Sequence, residues 1–235
     1  ATHDYIGNGH LSSGAGLLTM SPCAGKTVDL GGAGGTGGVL IVSGAELGRV
    51  TSAGGFTLSA STSTINVLAV SAVQSTFISG TVTVAATGAG GAVTIQAANT
   101  WYSNFVIDST ASFAISANAD ITSTTGSISI ETTGASSVSA TAPLSFTAMT
   151  GITLGRPMTV GGTGTLAWNA DSDADGSGTV TISGTSSVTI TSSTATLFQL
   201  TAGDMALSAL ITANNCPITI VPTANMFLGA TGGAF

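Results

Sequence analysis

Gly91-Ala92-Val93-Thr94-Ile95-Gln96-Ala97 carries the pattern that decides the fold: two apolar residues flank one small polar residue, with small residues on either side. The same triplet recurs at Val39-Leu40-Ile41, Phe56-Thr57-Leu58, Val82-Thr83-Val84, Phe113-Ala114-Ile115, Ile128-Ser129-Ile130 and Leu144-Ser145-Phe146. It continues at Leu166-Ala167-Trp168, Val180-Thr181-Ile182 and Ile218-Thr219-Ile220, with weaker copies at Phe77-Ile78 and Leu197-Phe198. Apolar alternation at period 2 is the mark of a half-buried strand. No long segment has apolar residues at the 3, 4 and 7 spacing of an amphipathic helix. Taking the starts as 39, 56, 77, 93, 113, 128, 144, 166, 180, 197 and 218, the mean interval is about 18 residues, the length of one unit in a stacked repeat protein.

The expected fold is all-β: a parallel β-helix (β-solenoid) of about ten to eleven coils, with three short strands per coil. One or two β-sandwiches are the alternative, since they too show short strands between frequent turns. Residues 1–35, rich in Gly and holding one apolar patch at Leu17-Leu18, are expected to form an N-terminal cap or assembly segment, with the solenoid over 36–235. On this scheme the middle residue of each triplet (Leu40, Thr57, Thr83, Thr94, Ala114, Ser129, Ser145, Ala167, Thr181 and Thr219) points outward in one stacked ladder.

Composition agrees with close stacking. Thr, Ser, Ala and Gly make up more than half of the 235 residues, and only 6% are charged, against about a quarter in an ordinary soluble domain. A net charge of −7 with three cations, Lys26, Arg49 and Arg156, excludes a nucleic-acid surface, which needs clustered Lys and Arg. The longest apolar stretches, such as Ile65–Val73, fall far short of the ~20 residues of a membrane-spanning helix. The chain begins at Ala1 without a charged–apolar leader, so a removed signal peptide or an excised segment is expected. Together with the scarcity of Lys, this places the protein outside the cell, secreted or on the cell surface. No Asn-x-Ser/Thr sequon occurs, whereas 69 Ser and Thr offer acceptors for O-linked glycans.

Asp171-Ser172-Asp173-Ala174-Asp175-Gly176 is the sharpest local motif. Carboxylates at alternate positions followed by Gly can wrap a Ca2+ with hard oxygen ligands. A helical calcium hand would need Glu at the twelfth loop position, where this chain has Ile182. The other cofactor-like motifs are weak. Gly25-Lys26-Thr27 lacks the upstream Gly of a phosphate loop, having Met20 there. His3, Asp4 and His10 form a sparse terminal metal set.

Asp108, Asp120 and Glu131 are spaced 12 and 11 residues apart, which does not match one coil, so they are expected on different faces rather than as a sugar-cleaving acid pair. No catalytic residues are assigned. Trp101, Tyr102 and Phe105 form an aromatic cluster expected at a subunit contact. Cys23 and Cys216 suit a disulfide in an oxidising compartment. Stacked coils would hold them ~48 Å apart at the strand spacing, and a disulfide needs Cα atoms within about 7 Å. They would then be free or bonded elsewhere, for example to the Cys of a neighbouring subunit.

Gly91–Ala97, Gly55-Phe-Thr-Leu-Ser-Ala60 and Ala202-Gly-Asp-Met-Ala-Leu-Ser208 resemble the coil repeats of large β-solenoid surface proteins, such as filamentous-haemagglutinin-type adhesins and autotransporter passengers. The likeness covers about residues 36–235. Mastigoneme-type fibre proteins are similar in composition. The resemblance implies a surface role: a structural subunit of an extracellular filament, fibre or stalk that assembles end to end, with adhesion as a companion role. The rivals are a carbohydrate-active β-helix enzyme and an ice- or carbohydrate-binding module using a Thr/Ser ladder.

Overall fold

A computed structural model describes residues 3–4, 8–23, 25–33, 40–110, 112–115, 119–131, 138–140, 144–161, 164–184, 186–191, 195–214 and 216–225. The described chain is all-β and parallel. Its strands fall into a ten-stranded, an eight-stranded and a six-stranded sheet, plus a two-stranded pair. From Phe56 on, each pass of the chain gives one strand to the eight-stranded sheet and then one to the ten-stranded sheet, and from Asn99 on the next goes to the six-stranded sheet. Phe105–Ser109, Ser112–Ile115 and Ile121–Ser123 make one such cycle. Ser127–Glu131, Val138–Ala140 and Ser145–Ala148 make the next, each pairing with its counterpart in the previous cycle.

The register corrects the repeat length. Phe56, Val82, Phe105, Ile128, Ile152, Val180 and Met205 are matched positions along the eight-stranded sheet. They are 26, 23, 23, 24, 28 and 25 residues apart, not about 18. The conspicuous triplets belong to all three sheets: Val93 and Phe113 to the ten-stranded one, Ile128 and Val180 to the eight-stranded one, Leu166 and Ile218 to the six-stranded one. Counting every triplet as a new coil shortened the period and inflated the coil number. It also merged three ladders into one. The outward positions stack as Thr159, Thr189 and Thr212 on the ten-stranded sheet. Thr100, Thr122 and Thr147 stack on the six-stranded sheet.

Described strands within residues 1–35 join the large sheets. Leu18–Met20 pairs with Phe56–Ser59, and Val28–Leu30 lies between Leu40–Val42 and Thr64–Val67. Two four-residue helices stand ahead of the six-stranded sheet. Gly44–Leu47 packs on Ala72–Ser75, which packs on Asn99–Trp101, the first strand of that sheet. Ser43 caps the first helix: its hydroxyl accepts from the Glu46 amide at 3.3 Å, and the Glu46 carboxylate accepts from the Ser43 amide at 2.7 Å. These reciprocal bonds satisfy end groups that so short a helix cannot pair internally.

The core is one continuous column of Val, Ile, Leu and Phe from Met20 to Ala202. β-Branched and aromatic residues fit the pleated, buried positions. Inside the six-stranded sheet Trp168 lies between Phe146 and Phe198, with ring centroids 5.4 Å away on each side.

Candidate functional site

The Asp171 loop follows the strand Gly164–Asn169 and precedes Thr179–Ile182. Two residues in the left-handed region shape it, Ala174 at φ +57° and Gly176 at +85°. Asp171 is buried, whereas Asp173 and Asp175 are exposed. Asp171 Oδ2 accepts from the Gly176 amide at 2.9 Å and from the Thr223 hydroxyl. Asp175 Oδ1 accepts from the Ser177 amide at 2.8 Å. One carboxylate oxygen from each of the three aspartates lies within 4.8 Å of the others.

The three carboxyls are not equivalent. Burial pushes the Asp171 carboxyl up, but hydrogen bonds from Thr223, Gly176 and its loop neighbours outweigh this and hold it below the usual range. Asp173 is pushed up by desolvation, by its closeness to Asp171 and by the charge of Asp175. Unless Asp173 carries a proton to donate, Asp171 Oδ1 has no hydrogen-bond donor. The sequence motif identified the three acids. It did not reveal Thr223, 52 residues away, which reaches Asp171 only because the last strand stacks beside the loop.

The other acids are placed differently from expectation. Asp108 and Glu131 are register partners on adjacent strands of the eight-stranded sheet, so they share a face. The 23-residue true period brings them together, which the assumed period of 18 could not. Asp120 lies apart, where its Oδ1 accepts from the Ser145 amide at 3.1 Å. Beside the pair lies a residue to which the sequence assigned no role. Arg156 is wholly buried, and its Nη2 donates to the Ser109 carbonyl at 2.5 Å. Burial lowers the Arg156 guanidinium to about 10, against the opposing pull of the Asp108 charge.

The aromatic cluster is packing rather than a surface contact. Trp101 and Phe105 are wholly buried and stack with centroids 4.4 Å apart and planes 11° from parallel. Only Tyr102 is partly exposed. Both cysteines are free, Cys23 exposed and Cys216 buried. Cys23 follows Leu18–Met20 at one end of the eight-stranded sheet, while Cys216 precedes Ile218–Pro222 at the far end of the stack. Lys26 and Thr27 lead into the strand Val28–Leu30, without the helix a phosphate loop requires. His10 is exposed, and the side chains of His3 and Asp4 lie outside the described residues.

Among the described residues, five of the eight exposed large hydrophobic side chains lie in or beside the last strands. Asp204–Leu207, Ile211–Ala213 and Ile218–Pro222 are the edge strands of the three large sheets. Leu207, Leu210, Ile218, Ile220 and Val221 are exposed there, Leu210 at 72%. Among the described residues, no helix is long and apolar enough to cross a membrane.

Comparison of the chain with protein-family models, with curated proteins and with solved structures returned no match.

Proposed function

We propose that this chain is a structural subunit of an extracellular filament, fibre or surface stalk. It is a three-sheeted β-solenoid that stacks end to end with copies of itself. The observation that carries the proposal is the face formed by the last described strands: three parallel edge strands, each paired on one side only among the described residues, rimmed by exposed Leu207, Leu210, Ile218, Ile220 and Val221. Unpaired parallel edges with apolar side chains are templates for further strands. A contact of one end with the opposite end of the next copy is heterologous, and such contacts propagate into filaments. Outward ladders of Thr and small residues suit side-by-side packing or glycan attachment, and adhesion is compatible with both. A secreted, cell-surface location follows from this role.

The test is assembly. Light scattering and negative-stain electron microscopy on rising chain concentration should show end-to-end rods, and Ile220→Asp should abolish them without unfolding the chain. Compact monomers at high concentration would sink the proposal.

A carbohydrate-active role has one supporting observation. Asp108 and Glu131 are matched on adjacent strands, so two carboxyl-bearing side chains start from one face of the sheet, as a glycosidase acid pair requires. Polysaccharide hydrolysis that disappears in Glu131→Gln would establish it, and no turnover of a polysaccharide panel would remove it.

A further inference from the structure

We propose that the loop Asp171–Gly176 binds one Ca2+ and that the bound ion fastens the last cycle of strands to the stack. Three features converge on the site. Oxygens of Asp171, Asp173 and Asp175 lie within 4.8 Å of one another, close enough for one Ca2+ with bonds of about 2.4 Å to reach all three. The shorter bonds of Mg2+, about 2.0–2.1 Å, demand a tighter cluster.

The second feature is independent of the acidic cluster as such. Asp171 is 1% exposed, and its Oδ1 is buried with no donor other than a protonated Asp173. A buried carboxylate oxygen without a donor is costly unless a cation or a hydrogen bond meets it. Its other oxygen is already committed to Gly176 and Thr223, so the side chain is held in place with Oδ1 left for a ligand. Asp173 and Asp175, exposed, supply the remaining charge from the solvent side.

The third feature concerns what the ion would hold. Thr223 follows the edge strand Ile218–Pro222, and its hydroxyl donates to Asp171. A Cβ added to Gly176 would come within 3.0 Å of Ala224 Cβ, so the loop also lies directly against the chain leaving that strand. An ion that fixes Asp171 therefore restrains the segment carrying the exposed end. Without the bidentate Glu of a helical calcium loop, with Ile182 at that position, the affinity expected is that of extracellular modules, about 10⁻⁴–10⁻³ M.

The site is tested on dilute, chelator-stripped chain, so the outcome does not depend on assembly. Titration calorimetry with CaCl2 should show one site per chain with a dissociation constant in that range and weaker binding of MgCl2. Calcium at about a hundred times that constant should raise the folded-to-unfolded ratio about 100-fold. Hydrogen exchange of the amides in 204–223 should slow in step. The double variant Asp173→Asn/Asp175→Asn changes only exposed side chains and should fold with an unaltered circular dichroism spectrum while losing the calorimetric signal. No saturable heat up to about ten millimolar CaCl2, or binding undiminished in the double variant, overturns the proposal. Calorimetric binding without slowed exchange in 204–223 overturns its second half.

Discussion

Ile128-Ser129-Ile130 and Ile218-Thr219-Ile220 carry the same alternation, yet their fates differ. Ile128 and Ile130 are 0% exposed, whereas Ile218 is 42% and Ile220 37% exposed. Both segments are strands, and both point their isoleucines toward the column of core residues: Ile128 and Ile130 pair in register with Phe105 and Ile107, Ile218 and Ile220 with Phe198 and Leu200. The difference is the neighbour on the other side. Among the described residues, Ser127–Glu131 lies between two strands of its sheet, while Ile218–Pro222 has one. In a stack of this kind an inward position is sealed by the layers above and below it, and the last layer remains half-solvated.

The most direct way to break the comparison is to truncate both isoleucines. Ile130→Ala should cost about 2–5 kcal/mol of stability, as for a fully enclosed aliphatic side chain. Ile220→Ala in the dilute chain should cost less than about 1 kcal/mol, because water already meets much of its surface. Urea midpoints measure both, and equal costs would show that the end is as enclosed as the middle.

Next in size is a close backbone approach at the two ends of the Asp171 loop. A Cβ on Gly178 would fall 1.9 Å from the Ala170 carbonyl oxygen, whereas one on Gly184 would rest 3.7 Å from the Ser208 carbonyl oxygen. Gly178→Ala should therefore destabilise by about 1–3 kcal/mol, and Gly184→Ala should lie within about 1 kcal/mol of the parent. Thermal melts of the two variants should separate clearly.

Charge sharpens the contrast on a smaller scale. Asp108 partly compensates the buried Arg156, while Asp204 is exposed at the edge. Asp108→Asn should cost about 1–2 kcal/mol, because a buried cation loses its opposing charge, and Asp204→Asn should change stability by no more than about 0.5 kcal/mol. Comparable urea midpoints for the two would show that Arg156 is satisfied without Asp108.

The smallest effect is a pH dependence. Arg156 titrates near 10 in the folded chain, below its ordinary range, because burial disfavours its charge. Below pH 10 both states carry the proton, and the cost of the buried charge is present in full. Above pH 10 the unfolded chain, whose guanidinium keeps its ordinary higher pKa, binds more protons than the folded one, so this residue's contribution to stability rises with pH. The parent should gain on Arg156→Met between pH 9 and 11 in paired denaturation curves, and a constant difference would mean that Arg156 is not desolvated.

Much of this was legible in the triplets, because period-2 alternation reports a strand whatever sheet it joins. The aspartate loop was legible too, since the spacing of its acids is local. The true period was not, because near-identical triplets such as Val93-Thr94-Ile95 and Ile128-Ser129-Ile130 occupy different sheets. Arg156 reads in sequence as an isolated cation, and only the packing buries it beside Ser109. Trp101 and Phe105 read as a subunit contact, but the strands Asn99–Trp101 and Phe105–Ser109 bury both rings.

The amino-acid sequence alone determined that the chain is made of short strands with small, uncharged outward positions, since alternation and side-chain size act within a few residues. Register, the number of residues per cycle, the pairing of Asp108 with Glu131 and the bond from Thr223 to Asp171 were decided by tertiary structure. Those depend on how many residues each corner takes between strands, and corners of different length bring together residues that the linear sequence keeps 23 or 52 positions apart.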